Sequence, residues 1–331
     1  MTQELDSERA RLRGRAVRRS RLISLIPLAA CLLLGGLYLL LAWQNGYDLG
    51  IGMAVVVSNA TLVALVATGA TFIFTAGSFD LSLGANMLVS ALIGGLVGRA
   101  SGNLFLMLLA TMGTAISLSV LGALLATFFN LPVFIMTIVM MNVYSAVSTL
   151  MLTTLGTNSA LAVPTSLVAG LNQTWFRLLL LAVFEAFACV LFYLLPMGRQ
   201  ARFLGGNPIC ARLSGIRPKS LTVLCFALAG IGIGLAAFAM TVETPTLSAS
   251  SGSSVGMNML IAMVFGGMPM SGGPRSRMYA ALLGAFSMAF LDALMNIYVT
   301  GSWYLQIVKG VLFVTVVFLF TIGRRSRMLE R

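Results

Sequence analysis

The stretch from Leu22 to Trp43 runs 22 residues without a charged side chain and follows directly on a segment holding seven arginines. As a helix it is roughly 33 Å long, enough to cross the hydrocarbon core of a bilayer. A cleaved leader has a shorter apolar core and a small-residue cleavage site, so this stretch reads as a retained first span. Similar apolar runs recur at 51–74, 81–97, 104–127, 131–153, 174–195, 220–242, 258–271, 278–300 and 303–323, ten in all. Backbone N–H and C=O groups in hydrocarbon must be bonded within their own segment, which leaves helices as the way for such runs to cross. The expected fold is an all-α polytopic transmembrane helical bundle of about ten spans.

The positions of the charges orient it. Only 9% of residues are charged and the net charge is +12. Such an excess could mark a nucleic-acid partner, but lysine and arginine also collect on the inner side of a membrane. With a cytoplasmic N-terminus, 18 of the 21 basic residues fall in 1–21, 196–219, 272–277 and 324–331, all on that side. One span more or less would move the basic 196–219 loop or the RRSR tail outside. Both termini are therefore expected in the cytoplasm, with the lipid bilayer, not nucleic acid, as the surrounding partner. The chain divides into a basic segment 1–21, a transmembrane domain 22–323 containing the loop 196–219, and a basic tail 324–331.

Several chemistries are excluded. There is no histidine, so His-based metal sites and Ser-His or Cys-His nucleophiles are absent. Cys31, Cys189, Cys210 and Cys225 show no C-x-x-C spacing. No catalytic residue and no metal site is expected, and no paired Asp/Glu motif suggests an intramembrane enzyme. The few charges inside the runs are functional candidates because each is costly in hydrocarbon. Asp80 reads either as a helix N-cap or as a gate that contacts solute hydroxyls. Asp292 and Lys309 flank a turn at Gly301 and Ser302, and their depths differ by only about 3 Å, which predicts an ion pair. Glu185 is expected to be protonated or hydrogen-bonded between spans, with Arg177 too far away to pair. An ion-coupled carrier using Asp80, Glu185 or Asp292 as a proton relay is the alternative function. No convincing internal repeat is evident, although the span, glycine break, span pattern at 51–97 returns at 258–300, in the parallel sense. The polar stretches 153–173 and 243–254 read as loops at the outer mouth.

The stretch GGNPICARLSGIRPKS, Gly205 to Ser220, specifies a short capped helix. Asn207 is a good N-cap, and Pro208 fits the first helical position. Gly215 fits the left-handed residue after the end, and Pro218 stops continuation. Ile209, Leu213 and Ile216 are expected to share one face. Such a helix is too short to stand alone and must dock on something.

This stretch resembles the cytoplasmic coupling segment of the ribose-type monosaccharide ABC transporter permease family, G-G-N-x-x-A-A-x-x-S-G-I. The matching residues are Gly205, Gly206, Asn207, Ala211, Leu213, Ser214, Gly215 and Ile216; the chain departs from the family at Pro208 and Cys210. FDLSLG at Phe79 to Gly84 is similar to the family's I-D-L-S-V-G. VFGGMPMSGG at Val264 to Gly273 and YLQIVKG at Tyr304 to Gly310 resemble its V-x-G-G-x-S-x-x-G-G and Y-x-x-x-V-K-G. The resemblance implies the permease subunit of an ATP-binding-cassette importer in a bacterial inner membrane. It would translocate a monosaccharide or similar small polar solute delivered by an extracytoplasmic binding protein. It further implies a second permease copy or paralogue and a separate ATPase subunit. This chain lacks a G-x-x-x-x-G-K-[ST] loop, so ATP and Mg are expected on that partner. On this resemblance Gly206, Asn207, Ala211, Arg212, Leu213, Ser214 and Gly215 are expected to couple to the ATPase. Asp80, Ser82, Gly84, Gly266 and Gly267 are the candidates for the gate and translocation path.

Overall fold

The computed structural model describes residues 25–155, 160–249, 251–269, 271–298, 307–311 and 314. The segment 1–21, the tail 324–331, the Gly301–Ser302 turn and most of the tenth apolar run lie outside the described residues. The helices are α1 (Leu25–Gln44), α2 (Leu49–Thr75), α3 (Leu83–Ser101), α4 (Leu104–Phe128) and α5 (Val133–Leu155). After β1 (Ala160–Ala162) and α6 (Thr165–Val168) comes α7 (Thr174–Cys189), continued by a π turn over Val190–Leu194. Then follow α8 (Pro196–Gly206), α9 (Pro208–Leu213), α10 (Pro218–Glu243), β2 (Thr246–Ser248), α11 (Ser253–Phe265) and α12 (Tyr279–Tyr298).

Among the described residues, eight helices are long and apolar enough to cross a membrane: α1 to α5, α7 with its π turn, α10 and α12. Local chemistry sets their ends. The Asp48 carboxylate accepts from the N–H groups of Gly50 and Ile51 to start α2, and the Asn103 side chain does the same for Phe105 and Leu106 at α4. Prolines occupy the first positions of α8, α9 and α10. The run expected at 258–271 is displaced. Its helix, α11, begins at Ser253 and stops after 13 residues at Gly266, with Gly267 at φ +76°. At about 20 Å it covers only part of a bilayer.

The core is built on α2 and α10, which cross in close antiparallel contact. A Cβ on Gly69 would lie 3.0 Å from the Ala229 Cα, and one on Gly232 would lie 2.5 Å from the Leu65 carbonyl oxygen. Only glycine lets the backbones come this near, the usual device of membrane helix packing. Around this pair, α2 packs against α11 and α12, while α10 packs against α3 and α4. In addition α3 packs on α4, α11 on α12, and α3 on α11. Exchanging α2 with α10, α3 with α11 and α4 with α12 leaves this set of packed pairs unchanged. The core is thus an inverted repeat of α2–α3–α4 and α10–α11–α12. The sequence shows no convincing repeat, and the glycine-break pattern shared by 51–97 and 258–300 is not the one that the packing follows. The equivalent of α2 is α10, and α11 corresponds to the second helix of its unit.

At one end β1 and β2 form an antiparallel ladder, with Leu161 opposite Leu247. It ties together the two polar stretches expected to be plain loops. At the other end α8 and α9 lie between α7 and α10.

Candidate coupling site and translocation cleft

The α9 helix is closed at both ends by its own side chains and turns. The Asn207 Oδ1 accepts from the N–H groups of Ile209 (3.0 Å) and Cys210 (3.1 Å). At the other end Gly215 sits at φ +81°. Its N–H donates to the Arg212 carbonyl, and the Ile216 N–H donates to the Ala211 carbonyl, each at 3.1 Å. This is a complete Schellman closure. Ala211 is fully buried and Ile216 packs on the core. Ile209 and Leu213 instead point away from the chain, 74% and 83% exposed. The single face expected for Ile209, Leu213 and Ile216 is therefore divided between inside and outside. Arg212 and Ser214 are also exposed.

Beneath α9, three segments far apart in the sequence meet through glycines. A Cβ on Gly205 would lie 2.1 Å from the Thr75 carbonyl oxygen, and one on Gly272 would lie 2.3 Å from that of Phe74. The Gly273 N–H donates to the Thr75 carbonyl at 3.0 Å, and Gly206 faces the ring of Pro274. The end of α2, the end of α8 just ahead of α9 and the loop before α12 thus meet closely. A second clamp holds α8. The Arg202 guanidinium stacks 4.8 Å from the Phe192 ring centre and donates to the carbonyls of Phe192 (3.0 Å) and Gly198 (3.1 Å). Those Phe192 groups belong to the π turn, where the next residue, Tyr193, accepts from the Met278 N–H at 3.2 Å.

The candidate gate residues fall in three places. Asp80 is 1% exposed. Its Oδ1 accepts from the Ser82 N–H and the Ser82 hydroxyl, each at 2.7 Å. It does not cap α3: Ser82 holds the N-cap position, and Asp80 closes the turn before it. Burial pushes the Asp80 carboxyl up to about 6, against the lowering effect of the two Ser82 bonds. Gly84 sits where the N-termini of α3 and α11 converge, and its Cβ would lie 2.8 Å from the Gly252 carbonyl oxygen and 3.0 Å from the Gly256 Cα. A cleft of about 290 Å³ opens beside this contact, walled by α3, α5 and α11. Gly266 and Gly267 are not in it. Gly266 lies against the Ala280 backbone in the α11–α12 hairpin, and Gly267 faces Pro27 of α1.

The buried charges are each engaged. Lys309 lies 2.8 Å from Asp292, and Asn258 of α11 bridges them, donating to Asp292 at 3.0 Å and accepting from Lys309 at 3.1 Å. Glu185 of α7 accepts from the Thr68 hydroxyl of α2 at 2.7 Å. Arg177 is 3.9 Å from Glu243.

Residues 52–317 match the family model described as branched-chain amino acid transport system / permease component. The chain belongs to this permease family. The permease is 29% identical over 262 residues to the ribose import permease protein of Bacillus subtilis, covering 77% of this chain and 80% of that protein. It is 23% identical over 281 residues to the ribose import permease protein of Haemophilus influenzae, covering 79% and 82%. It is 25% identical over 284 residues to the autoinducer 2 import system permease protein of Photorhabdus laumondii, covering 84% and 83%. No solved structure matches it.

Sequence reasoning missed several residues of the permease that the structure brings to these sites. Gly272 and Gly273 were visible only as part of a motif, with nothing local to show their partner at Thr75. Arg202 looked like one more basic residue, and Asn258 had no periodic signal. Each owes its position to a contact between distant segments.

Proposed function

We propose that this permease is the membrane-spanning subunit of an ATP-driven importer of a monosaccharide or similar small polar solute. The observation that carries the reading is α9: a rigid, doubly capped rod that exposes Ile209 and Leu213 and rests on a glycine junction. A helix of six residues with two large aliphatic side chains in solvent is built to be covered. The covering partner is a separate ATPase subunit on the cytoplasmic side, which binds the ATP and Mg that this chain has no loop to hold. Relatives that import ribose and autoinducer 2 support a sugar-like solute. An extracytoplasmic binding protein would deliver it at the β1–β2 end, and a second permease chain would complete the path.

Force entering α9 passes through Gly205 into the end of α2, and through Gly206 and Gly273 into the loop that leads to α12. It reaches one helix from each half of the inverted repeat. The N-termini of α3 and α11, in contact at Gly84 and Gly252, lie along the cleft that this motion would widen or close. The carboxylates that an ion-coupled carrier would use are held by neighbours: Asp80 by Ser82, Glu185 by Thr68, and Asp292 by Lys309 and Asn258.

The test is co-purification of the ATPase with Ile209→Glu, Leu213→Glu and the double variant. The expected result is loss of ATPase association with normal membrane insertion. Retained association in the double variant would overturn the docking role of α9.

A further inference from the structure

One helix of the permease carries a polar row on a face that the rest of the described chain leaves open. Asn142, Ser145, Thr149 and Thr153 of α5 are all exposed. Their spacing of three, four and four places them along one side of the helix. Beside them runs a second exposed stripe, Val139, Val143, Val147 and Leu150, that is apolar as far as Thr154 at its end. The two stripes require different surroundings. Aliphatic side chains suit lipid tails. A carboxamide and three hydroxyls do not, since hydrocarbon offers no partners.

Local bonds meet only part of their demand. Asn142 Nδ2 donates to the Ile138 carbonyl at 2.9 Å, Thr149 to that of Ser145 at 2.9 Å, and Thr153 to that of Thr149 at 3.1 Å. Each uses a donor. The acceptor lone pairs of the same groups remain, as does the second N–H of Asn142. The row also borders a space. Ser145 and Thr149 line the cleft of about 290 Å³, together with Ser148 and, across from them, Gly84, Gly252 and Gly256. No described residue lining that cleft is charged.

We propose that the α5 row and this cleft form one wetted wall along which a small, neutral, polyhydroxylated solute crosses the membrane, and that the uncharged lining selects against charged solutes. The proposal rests on the importer reading above and extends it to a path and a solute chemistry. Hydroxyls of a sugar or polyol can exchange bonds with Ser145, Thr149 and Asn142 one at a time, each weak enough to release. An amino acid, the solute class in the family's description, would bring a carboxylate and an ammonium group into a wall without a counter-charge, and both would be desolvated without compensation.

The experiment places single cysteines in the full-length chain, with Cys31, Cys189, Cys210 and Cys225 replaced by alanine, and measures mixed-disulfide formation, with release of methanesulfinate, in sealed native membrane vesicles. The row is sampled by Asn142→Cys, Ser145→Cys, Thr149→Cys and Thr153→Cys, and the lipid stripe by Val143→Cys, Val147→Cys and Leu150→Cys. Two probes are used, the neutral hydroxyethyl methanethiosulfonate and the anionic sulfonatoethyl methanethiosulfonate. Each rate is divided by that probe's rate with a free thiol, and each variant's labelling by its total thiol in denaturant, so poorly folded variants are recognised. Because only a hydrated thiolate reacts, the row is expected to react at least about tenfold faster than the stripe. At Ser145→Cys and Thr149→Cys the neutral probe is expected to outpace the anionic one by about tenfold, since an anion finds no partner there. Equal rates for row and stripe would overturn the wetted wall, including the case in which another protein chain seals it. A fast row without preference between probes would overturn the neutral-solute selectivity. Neither measurement involves the ATPase, so failure of either is separable from failure of α9 docking.

Discussion

The Lys309 ammonium lies 2.8 Å from the Asp292 carboxylate, with Asn258 bonded to both. This triad joins α11 and α12 to the helical turn at 307–311. Both charged side chains are largely withdrawn from solvent, so removing one leaves the other uncompensated. Lys309→Ala is expected to lose about 3 kcal/mol of stability, and the double variant with Asp292→Asn less than that. Thermal unfolding in detergent, read beside expression level, checks the order. Equal losses in the single and double variants would count against pairing.

The glycine junction predicts a contrast between two alanines ten residues apart in the segment 196–219. Gly205→Ala drives a methyl to 2.1 Å from the Thr75 backbone, which has no flexible end to yield. Uptake and folded yield should both fall severely. Gly215→Ala meets nothing within 4 Å and faces only the left-handed backbone at φ +81°. Its cost should be about 1 kcal/mol, with uptake largely kept. Comparable yields for the two would remove the junction from the coupling route.

Asp80 predicts a pH dependence. Its folded-state value is raised from 3.8 to about 6, so the folded protein holds the proton more tightly than the unfolded chain. The stability gained from the protonated form is complete below 3.8 and is lost as pH rises through about 6. Asp80→Asn keeps an oxygen for Ser82 and cannot ionise. Its stability relative to the native chain should rise across that window and level off above it. A constant difference from pH 4 to pH 7 would show that Asp80 does not titrate there.

Arg202 predicts that charge alone is insufficient. Lysine cannot stack on Phe192 while donating to two carbonyls. Arg202→Lys should cost about 2 kcal/mol and loosen α8 from the π turn. ATP hydrolysis by the assembled importer should then continue while transport per ATP falls. Unchanged stoichiometry would make the clamp irrelevant to coupling.

What the sequence made legible was what neighbours along the chain decide. The whole of α9 could be assigned from Asn207, Pro208 and Gly215, because caps and left-handed closures are local bonds. The pairing of Asp292 with Lys309 followed from depth alone. The inverted repeat was not legible, since its evidence is the approach of Gly69 to Ala229 and of Gly232 to Leu65, contacts without a sequence period. The ladder of Leu161 with Leu247 is only three residues per strand and has no alternation to mark it. The N-cap reading of Asp80 is off by two residues: an aspartate two positions before Ser82 can cap the helix or close the turn ahead of it, and only the fold chooses.

The opposed sense of α2–α3–α4 and α10–α11–α12 has a consequence for how the molecule can reverse itself. Each half is a template for what the other can become. If the two halves traded conformations, whatever constriction exists toward one compartment would reappear toward the opposite one, with no new packing to invent. Turning the doorway around would then be a see-saw between two near-equivalent poses, tipped by whatever leans on α9.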